Sequence, residues 1–348
     1  MTAADLSIGI LGASGYTGAE LLRLLAGHPR AHIAFLTAER HAGRPIASVF
    51  PHLAVLELPD LVRIEEAALA DVDVIYCCLP HATTQEVIAA LPRGPKVIDL
   101  SADFRLRDPA VYAEWYGHEH RAIEVQREAV YGLSEFARVA IRNTWLVANP
   151  GCYTTAAQLP LRPLLEAGLI AHEPIIIDAK SGITGAGRAL KEGSLFAEAA
   201  EGFAAYGVTS HRHVVEIEQG LADSTGTPMR VSFTPHLVPM NRGILATLYV
   251  QCADGAAPED LHESLATRFA DEPFVHVLPY RALPATRHVR GSNHTLIAVH
   301  PDRRPGHAIV LAVLDNLVKG ASGQALQNMN IMLELDETLG LGQPPMFP

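Results

Sequence analysis

One thiol in this chain stands at a turn, in the run Ala148-Asn149-Pro150-Gly151-Cys152-Tyr153-Thr154-Thr155, which leads into the small-residue, helix-compatible segment Ala156-Ala157-Gln158-Leu159. The first N–H groups of a helix have no intrahelical acceptors and lie at the positive end of its dipole, so a cysteine placed there is drawn towards thiolate. Cys152 is therefore a candidate nucleophile, set against the plainer reading of a small apolar residue packed beside a turn. The other cysteines, Cys77, Cys78 and Cys252, sit in apolar, strand-like runs and read as packing residues. Four cysteines so spaced make neither a disulfide framework nor a zinc site, and no metal is expected.

A thiolate nucleophile needs a proton donor or acceptor and cationic groups for an anionic leaving group. The best local acid-base candidate is His211-Arg212-His213, with Glu216 available to orient an imidazole. The competing reading is a solvated His-x-His pair or half of a metal site, in a chain with 17 histidines. For an anion, Arg105 follows the strand-like Asp99-Leu100, and Arg188 and Lys191 follow the glycine-rich stretch 180–187. Guanidinium binds phosphate bidentately, although a lone arginine is more often only a surface charge.

Stepping outward to the elements, Leu6-Ser7-Ile8-Gly9-Ile10-Leu11 reads as a strand that runs into Gly12-Ala13-Ser14-Gly15-Tyr16-Thr17-Gly18 and then a helix. Gly-x-x-Gly-x-x-Gly between strand and helix is a variant of the dinucleotide fingerprint: glycines admit the pyrophosphate and the helix N-terminus supplies donors. Further strands are expected at 33–37, 73–79 and 96–100, with a helix over 82–90. This alternation implies a Rossmann-type, doubly wound parallel sheet whose ligand edge gathers residues 12–18, Thr37 to Arg40, Leu79-Pro80-His81 and Ser101 to Arg105. Glu39 would favour NAD and Arg40 a 2'-phosphate; Thr37-Ala38 ending the strand favours NADP(H).

Beyond Asn149 the texture changes, with strand-like runs at 174–180, 230–237, 244–250 and 296–300 that suggest an α+β domain with a mixed sheet. A long apolar stretch opens at Ala308, and its latter half, 324–329, reads as a helix. The domain expectation is 1–150 plus 315–348 for dinucleotide binding and 151–314 for substrate binding and oligomerisation, in a chain of 348 residues that is 49% hydrophobic. A formal charge of -11 and the lack of a basic patch argue against nucleic acid and anionic membrane as partners. The N-terminus lacks a signal peptide's basic flank and apolar core, so the expectation is a cytoplasmic protein.

A hydride-delivering cofactor and a thioester-forming cysteine together define a reaction class. A carboxylate is a poor hydride acceptor; displacing phosphate from an acyl phosphate with a thiolate makes a thioester, which is a good one. The chain resembles the N-acetyl-gamma-glutamyl-phosphate reductase family, relatives of aspartate-semialdehyde dehydrogenase. The resemblance rests on residues 12–18, Leu100-Ser101-Ala102-Asp103-Phe104-Arg105, Tyr131-Gly132-Leu133, Asn149-Pro150-Gly151-Cys152-Tyr153, Ala179-Lys180-Ser181-Gly182, His211-Arg212-His213 and Asp315-Asn316-Leu317-Val318-Lys319-Gly320.

The resemblance implies NADPH-dependent reduction of an acyl-phosphate substrate, with Cys152 the nucleophile, His211 the acid-base group ahead of His213, and Glu216 in support. It places Gly12, Ser14, Gly15, Tyr16, Thr17, Gly18, Thr37, Arg40, Leu79, Pro80, Ser181 and Gly182 with the cofactor. Asn316 joins them on a helix returning to the cofactor domain. Ser101, Arg105, Arg188 and His213 would serve the substrate and its phosphate, and the assembly would be a homodimer or homotetramer. Thr154, Val215 and Ser134 stand where the family usually has proline, all at turns. Two alternatives share much of this pattern: a sister reductase for a carrier-linked aminoadipyl or glutamyl phosphate, and a dinucleotide-responsive regulatory module without turnover.

Overall fold

In the computed structural model, which describes residues 6–348, the first sheet has seven strands: β1 (Leu6–Leu11), β2 (Ala31–Thr37), β3 (Leu61–Val62), β4 (Val74–Cys77), β5 (Lys96–Asp99), β6 (Val130–Tyr131) and β7 (Leu146–Ala148). All pairings are parallel, in the order β3-β2-β1-β4-β5-β7-β6. Parallel strands need crossovers, and α1 (Tyr16–Leu25), α2 (Thr84–Ala90), α3 (Pro109–Tyr116), α4 (Ile123–Glu128) and α5 (Ser134–Asn143) lie in those connections. Ile8, Ile10, Ile75, Val97, Ile98 and Val147 are fully buried, as expected of strands covered on both faces. Strand order reverses between β1 and β4, so the crevice beyond their C-terminal ends falls at the glycine loop and at Leu79-Pro80.

The second sheet is mixed. It follows α6 (Cys152–Glu166) and comprises β8 (Ile176–Gly182), β9 (Ala204–Ala205), β10 (Ser232–Val238), β11 (Ile244–Gln251), β12 (Val275–Val277), β13 (Thr295–Pro301) and β14 (His307–Leu314). Its order is β12-β13-β14-β11-β8-β10-β9, with β8·β10 and β12·β13 parallel and the remaining pairs antiparallel. The short α7 (Phe196–Ala199), α8 (His213–Thr225) and α9 (Pro258–Arg268) complete this part. On β11 buried and half-buried residues alternate, from Ile244 inward to Val250, as a strand with one covered face requires.

The chain divides into one unit made of the residues up to Pro150 together with Ala321–Gly342, and another made of Gly151–Gly320 together with Gln343–Pro348. The return to the first unit thus begins at Ala321, later than the 315 expected from sequence. Residues 315–320 stay with the second unit because Asp315 accepts from Gly291 N and Leu317 N at 2.7 and 2.8 Å. Asn316 is tied to Gly243 and Thr184 in the same unit. The latter half of the apolar stretch from Ala308 is helical as expected, in α10 (Gly323–Met332), while its first part is β14, Asn316 stands in a turn rather than on a helix, and a π-helical turn over Val318–Ser322 leads into α10. Gln343–Pro348 also belongs to the second unit, where Met346 N donates to Arg290 O at 2.8 Å.

Every residue of α10 is buried, including Gln324, Gln327, Asn328 and Asn330. Their polar groups are used within the first unit. Asn328 Nδ2 donates to Gly132 O at 2.8 Å and to Asn149 Oδ1 at 3.1 Å, Ser134 Oγ donates to Asn328 Oδ1 at 2.8 Å, and Asn149 Nδ2 donates to Ala321 O at 3.0 Å. Gly132 leaves room for this network, since a Cβ there would stand 2.6 Å from Asn328 Nδ2. Among the described residues no helix is long and apolar enough to cross a membrane.

Candidate active site

In the first unit the glycine loop is built for close approach. Gly12 has φ +78°, and a Cβ on it would stand 2.6 Å from Cys78 O; one on Gly18 would stand 2.7 Å from Ala13 Cα and O. Gly15 is the N-cap of α1, so the amides of Tyr16, Thr17 and Gly18 form the opening turn that α1 cannot satisfy itself. Gly12 and Ser14 to Thr17 are only half-buried. Such a cradle fits a dinucleotide pyrophosphate. Thr37 is buried and shapes the loop from behind: its Oγ1 accepts from Gly12 N at 3.2 Å and its carbonyl accepts from Ala13 N at 2.9 Å. Arg40 is exposed in the short turn Glu39–His41 after β2, while Leu79 and Pro80 follow β4.

Ser101 and Arg105 are buried at the ends of β5 and β7. Ser101 Oγ donates to Asp99 Oδ2 at 2.7 Å, and Asp99 Oδ1 accepts from Ser101 N at 2.9 Å. Burial pushes the Asp99 carboxyl up to about 7, offset in part by these hydrogen bonds. Arg105 donates through Nε to Asn149 O at 2.8 Å and through Nη2 to Leu100 O at 3.2 Å. Its guanidinium therefore braces two strand ends, a structural duty that the sequence did not reveal.

In the second unit Cys152 is the first residue of α6, with Gly151 as N-cap. The turn before it is clasped by a carboxylate: Glu216, 1% exposed, accepts from Gly151 N and from Thr154 Oγ1, both at 2.8 Å. Thr154 Oγ1 also lies 2.6 Å from Gly151 O, and its single proton serves one of these acceptors at a time. Gln158 Nε2 adds a bond to Glu216 O at 3.2 Å, joining α6 to α8. Glu216 thus holds the turn that carries Cys152, beyond the imidazole support expected of it.

His211 lies in an aromatic cluster with the residue that follows the cysteine. Its ring centroid is 5.6 Å from Tyr153, 5.4 Å from Tyr206, 5.4 Å from Phe233 and 4.7 Å from His213, all edge to face. Burial pushes His211 down to about 4, against the opposing pull of Glu216, so the ring is neutral at ordinary pH. His213 N donates to His211 Nδ1 at 3.1 Å. An amide can only donate, so Nδ1 accepts and the proton of neutral His211 sits on Nε2. His213 contributes its backbone to this arrangement, and its ring packs 5.9 Å from Tyr153.

Tyr153 and Tyr206 were not singled out by sequence reasoning, since a tyrosine beside a turn carries no chemical signal of its own. Tyr206 Oη donates to Tyr153 Oη at 3.2 Å, and Tyr153 Oη donates to His236 O at 3.2 Å. Both phenols are held well above their usual range, chiefly by burial, with the Cys152 charge adding to each. Tyr153 also meets the Ser181 side chain. Ser181 and Gly182 end β8; Gly182 N donates to Gly243 O at 2.9 Å, and a Cβ at Gly182 would stand 2.5 Å from Asn241 O. Asn316 closes this knot, accepting from Gly243 N at 2.8 Å and donating to Thr184 Oγ1 at 3.0 Å. Arg188 stands exposed on the excursion between β8 and α7. The remaining thiols are held protonated: burial pushes Cys78 up to about 12 and raises Cys77 and Cys252 as well.

Two family models match the chain: "Semialdehyde dehydrogenase, NAD binding domain" over residues 7–144 and "Semialdehyde dehydrogenase, dimerisation domain" over residues 152–316. The chain is 59% identical over 347 residues to an N-acetyl-gamma-glutamyl-phosphate reductase of Rhodospirillum rubrum, covering 98% of this chain and 99% of that one. It is 58% identical over 344 residues to the probable chloroplastic N-acetyl-gamma-glutamyl-phosphate reductase of Arabidopsis thaliana, covering 99% of this chain and 86% of that protein. Among solved structures, aspartate semialdehyde dehydrogenase II from Vibrio cholerae superposes with a TM-score of 0.72 at 18% identity, over 95% of this chain and 99% of that chain. The Candida albicans aspartate semialdehyde dehydrogenase solved with NADP superposes with a TM-score of 0.61 at 17% identity, over 95% and 99%. These likenesses carry the fold.

Proposed function

The chain belongs to the N-acetyl-gamma-glutamyl-phosphate reductase family of semialdehyde dehydrogenases, and we propose that it reduces N-acetyl-L-glutamyl 5-phosphate with NADPH. The products are N-acetyl-L-glutamate 5-semialdehyde, NADP and phosphate, a step of arginine biosynthesis. The observation that carries this reading is the placement of Cys152 as first residue of α6, on a turn held by the buried Glu216 carboxylate.

In the first half-reaction Cys152 Sγ, as thiolate, attacks the acyl carbon; the C–S bond forms, the C–O bond to phosphate breaks, and phosphate leaves carrying the electron pair and takes up a proton. The positive end of the α6 dipole, at whose first residue Cys152 stands, favours the thiolate before attack. His211 donates from Nε2 to the acyl oxygen as negative charge builds on it, a task for which a neutral imidazole with its proton on that atom is prepared. Tyr153, Tyr206 and Phe233 pack edge to face against the ring and leave it half-buried. Arg188 and Arg105 are the side chains assigned to the substrate's phosphate, Arg105 from the strand ends that it braces; the Ser101 hydroxyl proton is given to Asp99, so Ser101 takes a structural part there.

When bound, the nicotinamide supplies the hydride that reduces the thioester, and collapse of the resulting hemithioacetal returns the Cys152 thiolate. Gly12, Ser14, Gly15, Tyr16, Thr17 and Gly18 would hold the dinucleotide's pyrophosphate, with Leu79 and Pro80 assigned to the same cofactor; Ser181, Gly182 and Asn316 are assigned to the nicotinamide end. Arg40, exposed just past β2, would meet a 2'-phosphate and set the preference for NADP. The enzyme works in the cytoplasm as a homodimer or homotetramer; the match of residues 152–316 to a dimerisation domain supports the association alone.

The test is phosphate-dependent reduction of NADP, and of NAD in parallel, with N-acetylglutamate semialdehyde against aspartate semialdehyde. The acetylated substrate with NADP should win on both axes. Cys152→Ser should lose nearly all turnover yet still bind NADPH; retained turnover would sink the thioester route.

A further inference from the structure

Cys152 is backed by a residue that has no side chain. Gly320 lies in the π-helical turn Val318–Ser322, and a Cβ built on it would stand 2.7 Å from Cys152 Cβ, 3.2 Å from Cys152 Cα and 3.2 Å from Leu314 Cδ1. Carbon atoms settle at about 3.5–4.0 Å, so the first contact is prohibitive. Gly320 is not among the glycines with positive φ, so the position demands space rather than a left-handed backbone.

Neither side can easily give way. Cys152 Cβ is fixed to the first residue of α6, whose turn is clasped through Gly151 N and Thr154 Oγ1 by Glu216. Gly320 N donates to Asp315 O at 2.9 Å. The Asp315 carboxylate, itself buried, accepts from Gly291 N at 2.7 Å and Leu317 N at 2.8 Å, with Arg242 Nη1 at 3.5 Å. A fastened turn therefore meets a fastened helix start, with no intervening side chain.

We propose that Gly320 is a positioning residue for the nucleophile: its bare Cα lets the 315–320 turn seat against Cys152 and fixes where the sulfur stands at the α6 N-terminus. The catalytic part of this inference rests on Cys152 being the nucleophile; the packing part does not. A methyl group at 320 must push the Cys152 backbone away, moving the sulfur off its line of attack while the glycine loop of the first unit is untouched.

The experiment is Gly320→Ala in the full chain, with Gly342→Ala, whose added Cβ meets nothing within 4 Å, as the neutral control. Gly320→Ala should lower kcat about a hundredfold with KM and NADPH affinity within about twofold, the signature of a displaced reacting atom. Iodoacetamide alkylation of Cys152 should slow, and its pH profile should move upward as the thiolate leaves the helix amides. A double-mutant cycle reads the contact itself: the unfolding penalty of Gly320→Ala should largely vanish in a Cys152→Gly background, where the clashing Cβ is gone.

If Gly320→Ala alone fails to fold, the double variant should still fold. Wild-type kcat and alkylation in Gly320→Ala overturns the proposal, as does an equal penalty in both backgrounds or failure of both variants to fold. A Cys152→Ser protein that still turns over would remove the nucleophile assignment while leaving the cycle's coupling in place, so the two failures are distinguishable.

Discussion

At His211 two influences act together: burial keeps the imidazole neutral, and the His213 amide decides which nitrogen carries the proton. The group that results is a hydrogen-bond donor, so a side chain that donates from a similar reach should replace part of its function. His211→Gln should keep more kcat than His211→Ala, which should fall about 10²–10³-fold as expected for loss of one oxyanion donor. Equal losses in steady-state kinetics would return His211 to proton transfer. Asp99 gives a second residue-scale expectation. Its folded-state value of about 7 lies above the ordinary 3.8, so the folded form binds the proton more tightly, and the associated stability is present below 3.8 and lost as pH rises through about 7. His211 has the opposite sign: its value is depressed from 6.5 to about 4, so its contribution is present above 6.5 and lost as pH falls towards 4. Asp99→Asn removes the first influence. In urea unfolding, the stability of Asp99→Asn relative to the parent should rise as pH is raised between those limits, and a difference that is flat with pH would contradict the assignment.

Among the elements, the strand–loop–helix at residues 6–25 and the helix that opens at Cys152 were legible because each is announced locally, by glycine spacing or by a turn before small residues. The Glu216 clasp was not legible, since Glu216 and Gly151 lie far apart in sequence and a glutamate in the first turn of a helix usually serves that same helix. The element that carries Asn316, a turn rather than a helix, was misplaced for a related reason. Residues 308–329 read as one apolar stretch, but β14 is amphipathic in its own sheet, and only the fully buried α10 fits the helical reading. Nor does periodicity disclose that the polar residues of α10 face inward: a helix buried all round has no apolar stripe to detect. Asn328 is the centre of that arrangement, serving Gly132 O and Asn149 Oδ1 and accepting from Ser134. Asn328→Ala should cost about 2 kcal/mol in denaturant unfolding, through buried polar partners left unsatisfied. A change within error would mean that the network contributes little.

For the whole molecule, both domain classes were read correctly, because alternating strands and helices up to Asn149 give way to successive strand-like runs beyond it, and a parallel and a mixed sheet are what those patterns build. Association is the property sequence left open. Leu190, Leu195, Phe196, Phe203 and Val208 are 97, 51, 88, 59 and 50% exposed on one stretch of the second unit. That concentration of apolar surface fits burial against another copy in a protein matching a dimerisation domain. Light scattering should return at least a dimer, and Phe196→Asp should shift it towards monomer; a monomeric parent protein would refute the assembly. The division of the chain bears on how the protein is made. The first unit is closed by Ala321–Gly342, so a ribosome that has finished every strand of the parallel sheet must still translate residues 151–320 before α10 exists. Throughout that interval Gly132, Ser134 and Asn149 wait for their partners, and the dinucleotide cradle sits on an unfinished domain. Closure of the first unit is therefore a late event of synthesis, set by the residues, Gly151–Gly320, that separate its two pieces.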